Sequence, residues 1–374
     1  MSDSKKNPLS LIKLLNQREA NFSLRSLKTD HPKIDFASND YLGFSSQGYL
    51  FDEIKKLDGS VKTGSTGSRL ISGNSILFNE IENEVATFHQ AESALIYNSG
   101  YDANLGLLSS VPQKGDLILS DELIHASLID GIKLSYATHY KFKHNDINSL
   151  SELVTRHKES FQEIYVVVES VYSMDGDCAP LIEIVNLCKQ YKLHLIVDEA
   201  HAIGVFGENG KGLCQELNIE HDCFARIYTY GKAMGCHGAS IVGSEELKQY
   251  LINFSRSFIY TTAMPEHSLL AIKAAYQLLV KTNEIEKLKN NIIYFNSKTN
   301  SDNSFIKSTS SLHCKVVAGN KQVQELEEKL YQSNLFVKSI KSPTVKEGQE
   351  RIRICLHSFN TKEETDLLVS LLSS

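Results

Sequence analysis

The sequence predicts an α/β protein: a large domain built on a mostly parallel sheet, followed by a smaller α+β domain. Three observations predict it. Between about residue 80 and residue 245, short β-branched runs alternate with helical patterns, and each run ends in glycine or polar residues. Strands separated by helices call for right-handed crossovers, which build parallel sheets whose ligands gather beyond the carboxyl ends of the strands. A second set of β-type runs appears only late in the chain, after a polar segment.

Taken in order, the opening stretch MSDSKKNPLSLIKLLNQREANF reads as an amphipathic surface helix. It lacks the uninterrupted apolar core and small-residue cleavage site of a signal peptide, so a cytoplasmic enzyme without a targeting peptide is expected. The strand runs are ALIYNSG, DLILSD, EIYVVVES, LHLIVDEAH, ARIYTYGK and GASIVGS. From about residue 265 the stretch SLLAIKAAYQLLVKTNEIEKLKNN is helical and leads into NSKTNSDNS, where a hinge or surface loop is expected. LHCKVVAG, LFVKSI and RIRICLH then supply the strands of the smaller domain. The expected division is an N-terminal segment over 1–40, a large domain over 41–265, and a linking helix with a small domain over 266–374.

Composition narrows the function classes. With 374 residues the chain can bury a large core, and a formal charge of −6 leaves no basic footprint for nucleic acid, so small-molecule partners are expected. Seven cysteines without a C-x-x-C pair argue against a disulfide framework or a zinc site and favour a reducing compartment. No run approaches the ~18–20 apolar residues of a membrane span. No metal is expected, and the D-E-A-H run is not a nucleotide motor, because GxxxxGK[ST] is missing.

The chemistry gathers at strand ends. LIVDEAHAIG sets Asp198 at the end of an apolar strand and His201 three residues on. A carboxylate there needs a metal, a basic side chain or a protonated heterocycle as partner, unless it merely caps a helix. IYTYGKAMGCHGA sets Lys232 among small residues at the next strand end, where a confined amine can form an imine with an aldehyde; a surface lysine is the bland alternative. Together the two suit an electron-sink cofactor, which needs both an imine and an acid facing a ring nitrogen. YNSGYDAN runs a strand into Ser99, Gly100 and Tyr101 and then a helix, either an anion cradle or an ordinary capped start. His125 in SDELIHAS could stack on an aromatic ring or be structural.

These motifs occur in one order along the chain: DFASNDYLGF at 35–44, GSTGSRLISGN at 64–74, NSGYDAN at 98–104, DELIHAS at 121–127, ESVYSMDGD at 169–177, VDEAHAIGVFG at 197–207 and TYGKAMG at 229–235. In that order they resemble the α-oxoamine synthases, a group of the fold-type-I pyridoxal-phosphate enzymes. The resemblance implies a large domain with a mostly parallel seven-stranded sheet and a smaller C-terminal α+β domain. It implies pyridoxal 5′-phosphate held as a Schiff base by Lys232, with Asp198 on the ring nitrogen, His201 on the phenolic oxygen and His125 over the ring face. It further implies backbone groups of Gly100 and Tyr101, with Ser173 and Thr229, around the cofactor, and Thr261 in FIYTTAMP reaching the phosphate of a partner subunit, hence a homodimer with shared active sites. SNDYLG and GSRLISG resemble the versions found in the member that joins L-alanine to a pimeloyl thioester, carried on coenzyme A or a carrier protein. Arg25 then resembles a substrate-binding arginine, and Arg353 the one gripping the amino-acid carboxylate, with Arg351 its rival. Phe78 stands where the group commonly has histidine. Sister reactions of glycine or serine with another acyl-CoA, and a non-catalytic regulatory protein of the same fold, are the alternatives.

Overall fold

The structure is a computed structural model and describes residues 7–27, 29, 32–57 and 62–373. Twelve strands occur among them: β1 (Ile34–Asp35), β2 (Ser93–Tyr97), β3 (Leu117–Asp121), β4 (Thr138–Phe142), β5 (Ile164–Glu169), β6 (His194–Asp198), β7 (Ala225–Thr229), β8 (Ala239–Gly243), β9 (Leu312–Val316), β10 (Leu335–Phe336), β11 (Lys338–Ile340) and β12 (Arg351–Cys355). Seven form one sheet in the order β2-β8-β7-β6-β5-β3-β4. β4 to β7 run parallel with β3, and β8 is antiparallel to both β7 and β2. The interior strands are apolar on both faces because helices cover both, which is why they read as continuous β-branched runs. β4 was not among the six runs identified from sequence. THYKF is an edge strand with only Phe142 buried, so hydrophobicity does not mark it.

Register then places the chemistry. β5 and β6 pair Glu169 with Asp198, and β6 pairs Asp198 with Ile227 of β7, so the two carboxylates stand side by side at the carboxyl edge of the sheet. β9, β11 and β12 form a smaller antiparallel sheet with β12 central. β1 pairs in parallel with β10, and Cys355 N–H donates to Phe36 O at 2.8 Å. This stitches the segment leading to Ala37–Asn39 onto the smaller sheet, beside Arg353.

The N-terminal helix, Leu9–Ala20, has no buried residue; the first six residues of the segment expected to form it lie outside the described residues. The helical stretch after 265 is two helices, Glu266–Lys281 and Glu284–Thr299, broken where Thr282 Oγ1 accepts from Glu284 N–H. Of the hinge or surface loop expected at NSKTNSDNS, the first half is instead the last turn of the second helix, and residues 300–304 form a loop. Buried Thr299 bonds back to Phe295 O, and Asn296 reaches Ser308 O. Tertiary contacts override the polar composition there. Among the described residues no helix is long and apolar enough to cross a membrane.

Candidate active site

Asp198 is buried at the end of β6. Its Oδ1 accepts from Ala200 N–H at 2.9 Å and its Oδ2 from Asn104 Nδ2 at 2.8 Å, so it closes a local turn and does not cap a helix. Asn104 also donates to Ser127 Oγ at 3.0 Å, and Ser127 Oγ lies 2.7 Å from His125 Nδ1. His125 caps the helix Ala126–Leu134, its Nδ1 accepting from Ser127 N–H at 3.2 Å. That bond leaves the ring's proton on Nε2. A single chain of hydrogen bonds thus fixes His125 relative to Asp198.

Lys232 lies in the turn after β7, closed by Gly235 N–H to Lys232 O and Cys236 N–H to Tyr230 O. Gly204 (φ 77°) brings the His201 turn against it, since a Cβ there would meet Ala233 Cβ at 2.6 Å. Burial lowers the pKa of the Lys232 amine, against the opposing charges of Asp198 and Glu169. Burial likewise lowers His125 despite Asp198, and it holds His201 well below its ordinary value, helped by the charges of Lys232 and Arg353. His201 Nδ1 lies 2.7 Å from the Tyr41 hydroxyl. Glu169 is pushed well above the usual carboxylate range by burial and by Asp198.

Asp198, His125, His201, Lys232 and Glu169 surround a cavity of about 280 Å³, lined also by Ser99, Gly100, Tyr101 and Thr229. Ser99 does cap the helix Gly100–Ser110, accepting from Asp102 N–H; the first N–H groups of such a helix have no partner within it, and Gly100 and Tyr101 line the cavity. Three buried polar atoms on the cavity's lining residues, Thr229 Oγ1, Asn104 Oδ1 and Glu169 Oε1, have no hydrogen-bond partner. Gly100 packs against Thr229, where a Cβ would come within 2.3 Å of Cγ2. An amine, a carboxylate, an anion-ready helix start and unpartnered polar atoms fit a ligand with an aldehyde, a basic ring and a phosphate.

A second cavity of about 360 Å³ shares Asn39, His125, His201 and Lys232 with the first and is lined by Ser173, Met174 and Arg353. Arg353 is held by Ser173 O (2.8 Å), Cys355 Sγ (3.1 Å) and Asn39 Oδ1 (2.9 Å). Arg351 instead forms a buried ion pair with Asp175 and bonds to Met174 O, outside both cavities. Arg25 lines a third cavity of about 560 Å³, which adjoins the second through Met174, Lys338 and Ile340. Thr261 is apart from these, bonded to Asn98 Nδ2 in a narrow cleft with Phe78. Phe78 there carries the Arg69 guanidinium 4.0 Å above its ring, remote from Lys232. The sequence reading missed Asn39, Tyr41, Asn104, Ser127 and Glu169 as individual residues. All five stand inside the quoted motifs, and Glu169 carried the same polar strand-end signal as Asp198.

The family model for aminotransferase class I and II matches residues 31–372. The 8-amino-7-oxononanoate synthase of Emericella nidulans is 39% identical over 98% of this chain and 95% of its own length. Among solved structures, 8-amino-7-oxononanoate synthase from Francisella tularensis has a TM-score of 0.76 at 30% identity, over 91% of this chain and 96% of that one. Serine palmitoyltransferase of Sphingomonas wittichii has a TM-score of 0.89 at 25% identity, over 99% and 97%.

Proposed function

The chain belongs to the aminotransferase class I and II family and, within it, to the α-oxoamine synthases, acyltransferase-type enzymes dependent on pyridoxal 5′-phosphate; from that premise we propose that it joins L-alanine to a pimeloyl thioester. Carbon dioxide and the free thiol leave, and the product is 8-amino-7-oxononanoate, an intermediate of biotin biosynthesis. The observation that carries this reading is the meeting of two cavities at Lys232, one lined by Asp198 and the helix start at Gly100, the other by Arg353.

When bound, pyridoxal 5′-phosphate supplies an aldehyde that combines with amines and a protonated ring that draws electrons from the bond broken at the α-carbon. Lys232 would hold its aldehyde carbon, and Lys232 Nζ, biased toward the neutral form by burial, moves the α-proton. Asp198, with both oxygens fixed, would hold the proton on the ring nitrogen. His201 would face the phenolic oxygen, His125 would cover a ring face, and the N–H groups of Gly100 and Tyr101 with Thr229 would take the phosphate. Arg353, beside Ser173, grips the amino-acid carboxylate, a pairing suited to a guanidinium fork. Arg25, on the adjoining cavity, meets the acyl donor. Thr261 lies away from this chain's own cavity, which supports a homodimer in which it serves the partner's site. Seven free cysteines support a cytoplasmic setting.

The test is the visible absorbance of the cofactor-loaded protein with L-alanine, glycine or L-serine, followed by pimeloyl-CoA with thiol release as readout. Response to alanine with thiol release is expected; response confined to glycine or serine moves the chain to a sister reaction. Lys232→Ala is expected to abolish the bound cofactor's visible absorbance and cut turnover at least ~10³-fold. Retention of both would overturn the reading.

A further inference from the structure

Four polar side chains form a line between the two cavities. His201 Nδ1 lies 2.7 Å from the Tyr41 hydroxyl, which lies 3.1 Å from Asn39 Oδ1, which accepts from Arg353 Nη2 at 2.9 Å. Tyr41 is fully buried and lines neither cavity, so its hydroxyl serves only the groups inside the wall. We propose that Tyr41 is a positioning residue whose hydroxyl fixes which ring nitrogen of His201 carries the proton and ties that choice, through Asn39, to occupancy of the anion site at Arg353. The inference rests on the reading of Arg353 as the carboxylate-binding arginine.

The argument is a count of protons. Burial holds the Tyr41 phenol in its protonated form, and His201 is neutral, so each carries one proton for this line. If Tyr41 donates to His201 Nδ1, then His201 keeps its proton on Nε2. If Tyr41 donates to Asn39 Oδ1, then His201 Nδ1–H donates to Tyr41 and Nε2 is an acceptor. Asn39 Oδ1 decides between them. While Arg353 donates a charge-assisted bond to it, Oδ1 is the poorer acceptor for Tyr41, and the shorter bond to His201 takes the proton. A carboxylate that draws Arg353 away frees Oδ1, and the second arrangement gains. The charged or titratable groups facing the pair are Lys232, Arg353 and His125 around His201, and Cys355 and Arg353 around Tyr41, whose hydroxyl also meets the Arg353 guanidinium and Ser311 directly, so that Asn39 is one of two paths from Arg353 to it.

The experiment uses the full-length, cofactor-loaded chain with ¹⁵N-labelled histidine, His201 being assigned through His201→Gln. Propionate is the probe, because it has the carboxylate of an amino acid and lacks the amine. Nitrogen chemical shifts report which ring nitrogen is protonated. The expected result is Nε2–H in the free protein, a shift of population toward Nδ1–H with saturating propionate, and loss of that response in Tyr41→Phe with propionate still bound. A fluorinated tyrosine at position 41, a stronger donor of unchanged shape, is expected to increase the Nε2–H share even where Tyr41→Phe folds poorly. Propionate that binds without moving the proton overturns the relay and leaves the carboxylate reading standing. Propionate that binds Arg353→Ala as well as the parent overturns that reading, and the relay with it.

Discussion

Gly100 provides the sharpest steric test of the proposed phosphate end of the site. A methyl group added there would sit 2.3 Å from Thr229 Cγ2, while the distance to Thr229 Cβ would be 3.4 Å. Carbon atoms rest at about 3.5–4.0 Å, so Gly100→Ala must drive the helix start and the end of β7 apart by more than ~1 Å. Thr229 cannot swing aside cheaply, because it is buried and β-branched. Overpacking of this kind costs ~1–3 kcal/mol, or about 5- to 150-fold in cofactor affinity if it falls on the bound state. Alanine is the better helix former by ~1 kcal/mol, so thermal stability is expected to change little. Thr229→Ser removes the offending methyl and keeps the hydroxyl; alone it should weaken cofactor binding slightly. The double variant should bind cofactor nearly as the parent does, a coupling of ~1–3 kcal/mol. Titration of the four proteins with pyridoxal 5′-phosphate, read by visible absorbance, gives the cycle directly. Additive effects, or a Gly100→Ala protein that binds normally, would refute the placement of Gly100 against Thr229 as the tight wall of the cradle.

The two arginines of β12 should separate cleanly. Arg353→Lys loses the fork and is expected to raise KM for the amino acid by about 10- to 100-fold, whereas Arg351→Met leaves Asp175 unpaired, costs ~3 kcal/mol of stability and moves KM little; steady-state kinetics with thermal melts distinguish them. His144 bridges Asp121 (3.0 Å) and Asp177 (2.9 Å); burial alone would lower its pKa, but the bonds and charges of the two carboxylates raise it to about 10. Because the folded value lies above the ordinary 6.5, its contribution to stability is complete below about pH 6.5 and is lost as pH rises toward 10. His144→Gln should cost ~3 kcal/mol at neutral pH and flatten that decline; melting temperatures that fall equally in both proteins would sink the assignment.

Much of this architecture was legible because the sheet interior is buried on both faces. β2, β3, β5, β6, β7 and β8 announced themselves as apolar runs, and Asp198, Lys232 and His125 stood out as polar residues just past their ends. The edge strand β4 and the two-residue strand β1 carry no such signal: β4 buries only Phe142, and β1 exists only through its pairing with β10, whose run LFVKSI did read as a strand. The same holds for Tyr41 and Asn39, which reach the site only because β1 is stitched to β10, 301 residues downstream by register Ile34↔Leu335. The pattern RIRICLH puts Arg351 and Arg353 on one face of a strand, and the preference for Arg353 came from the family resemblance rather than from that pattern. Only the positions of Asp175 and Asn39 separate them.

The pairing of Glu169 with Asp198 explains how one strand edge can hold two carboxylates and still present one charge. Register fixes them side by side, and neither can move away without breaking the sheet. Two like charges in a buried site cannot both persist, so the surrounding donors choose. Asp198 receives Asn104 Nδ2 and Ala200 N–H, both of which favour a carboxylate. Glu169 has Oε1 without a partner, and burial with the Asp198 charge raises its pKa well above the ordinary range, which favours the neutral acid. The donors therefore distinguish the two carboxylates, and Asn104 is one of the two that serve Asp198. The same Asn104 also fixes Ser127 and through it His125, so the Asp198 carboxylate and the His125 imidazole are set by one amide. A substitution at Asn104 should therefore disturb both at once, with the charge redistributed toward Glu169 and the His125 ring released, which is a larger effect than the loss of one hydrogen bond would give.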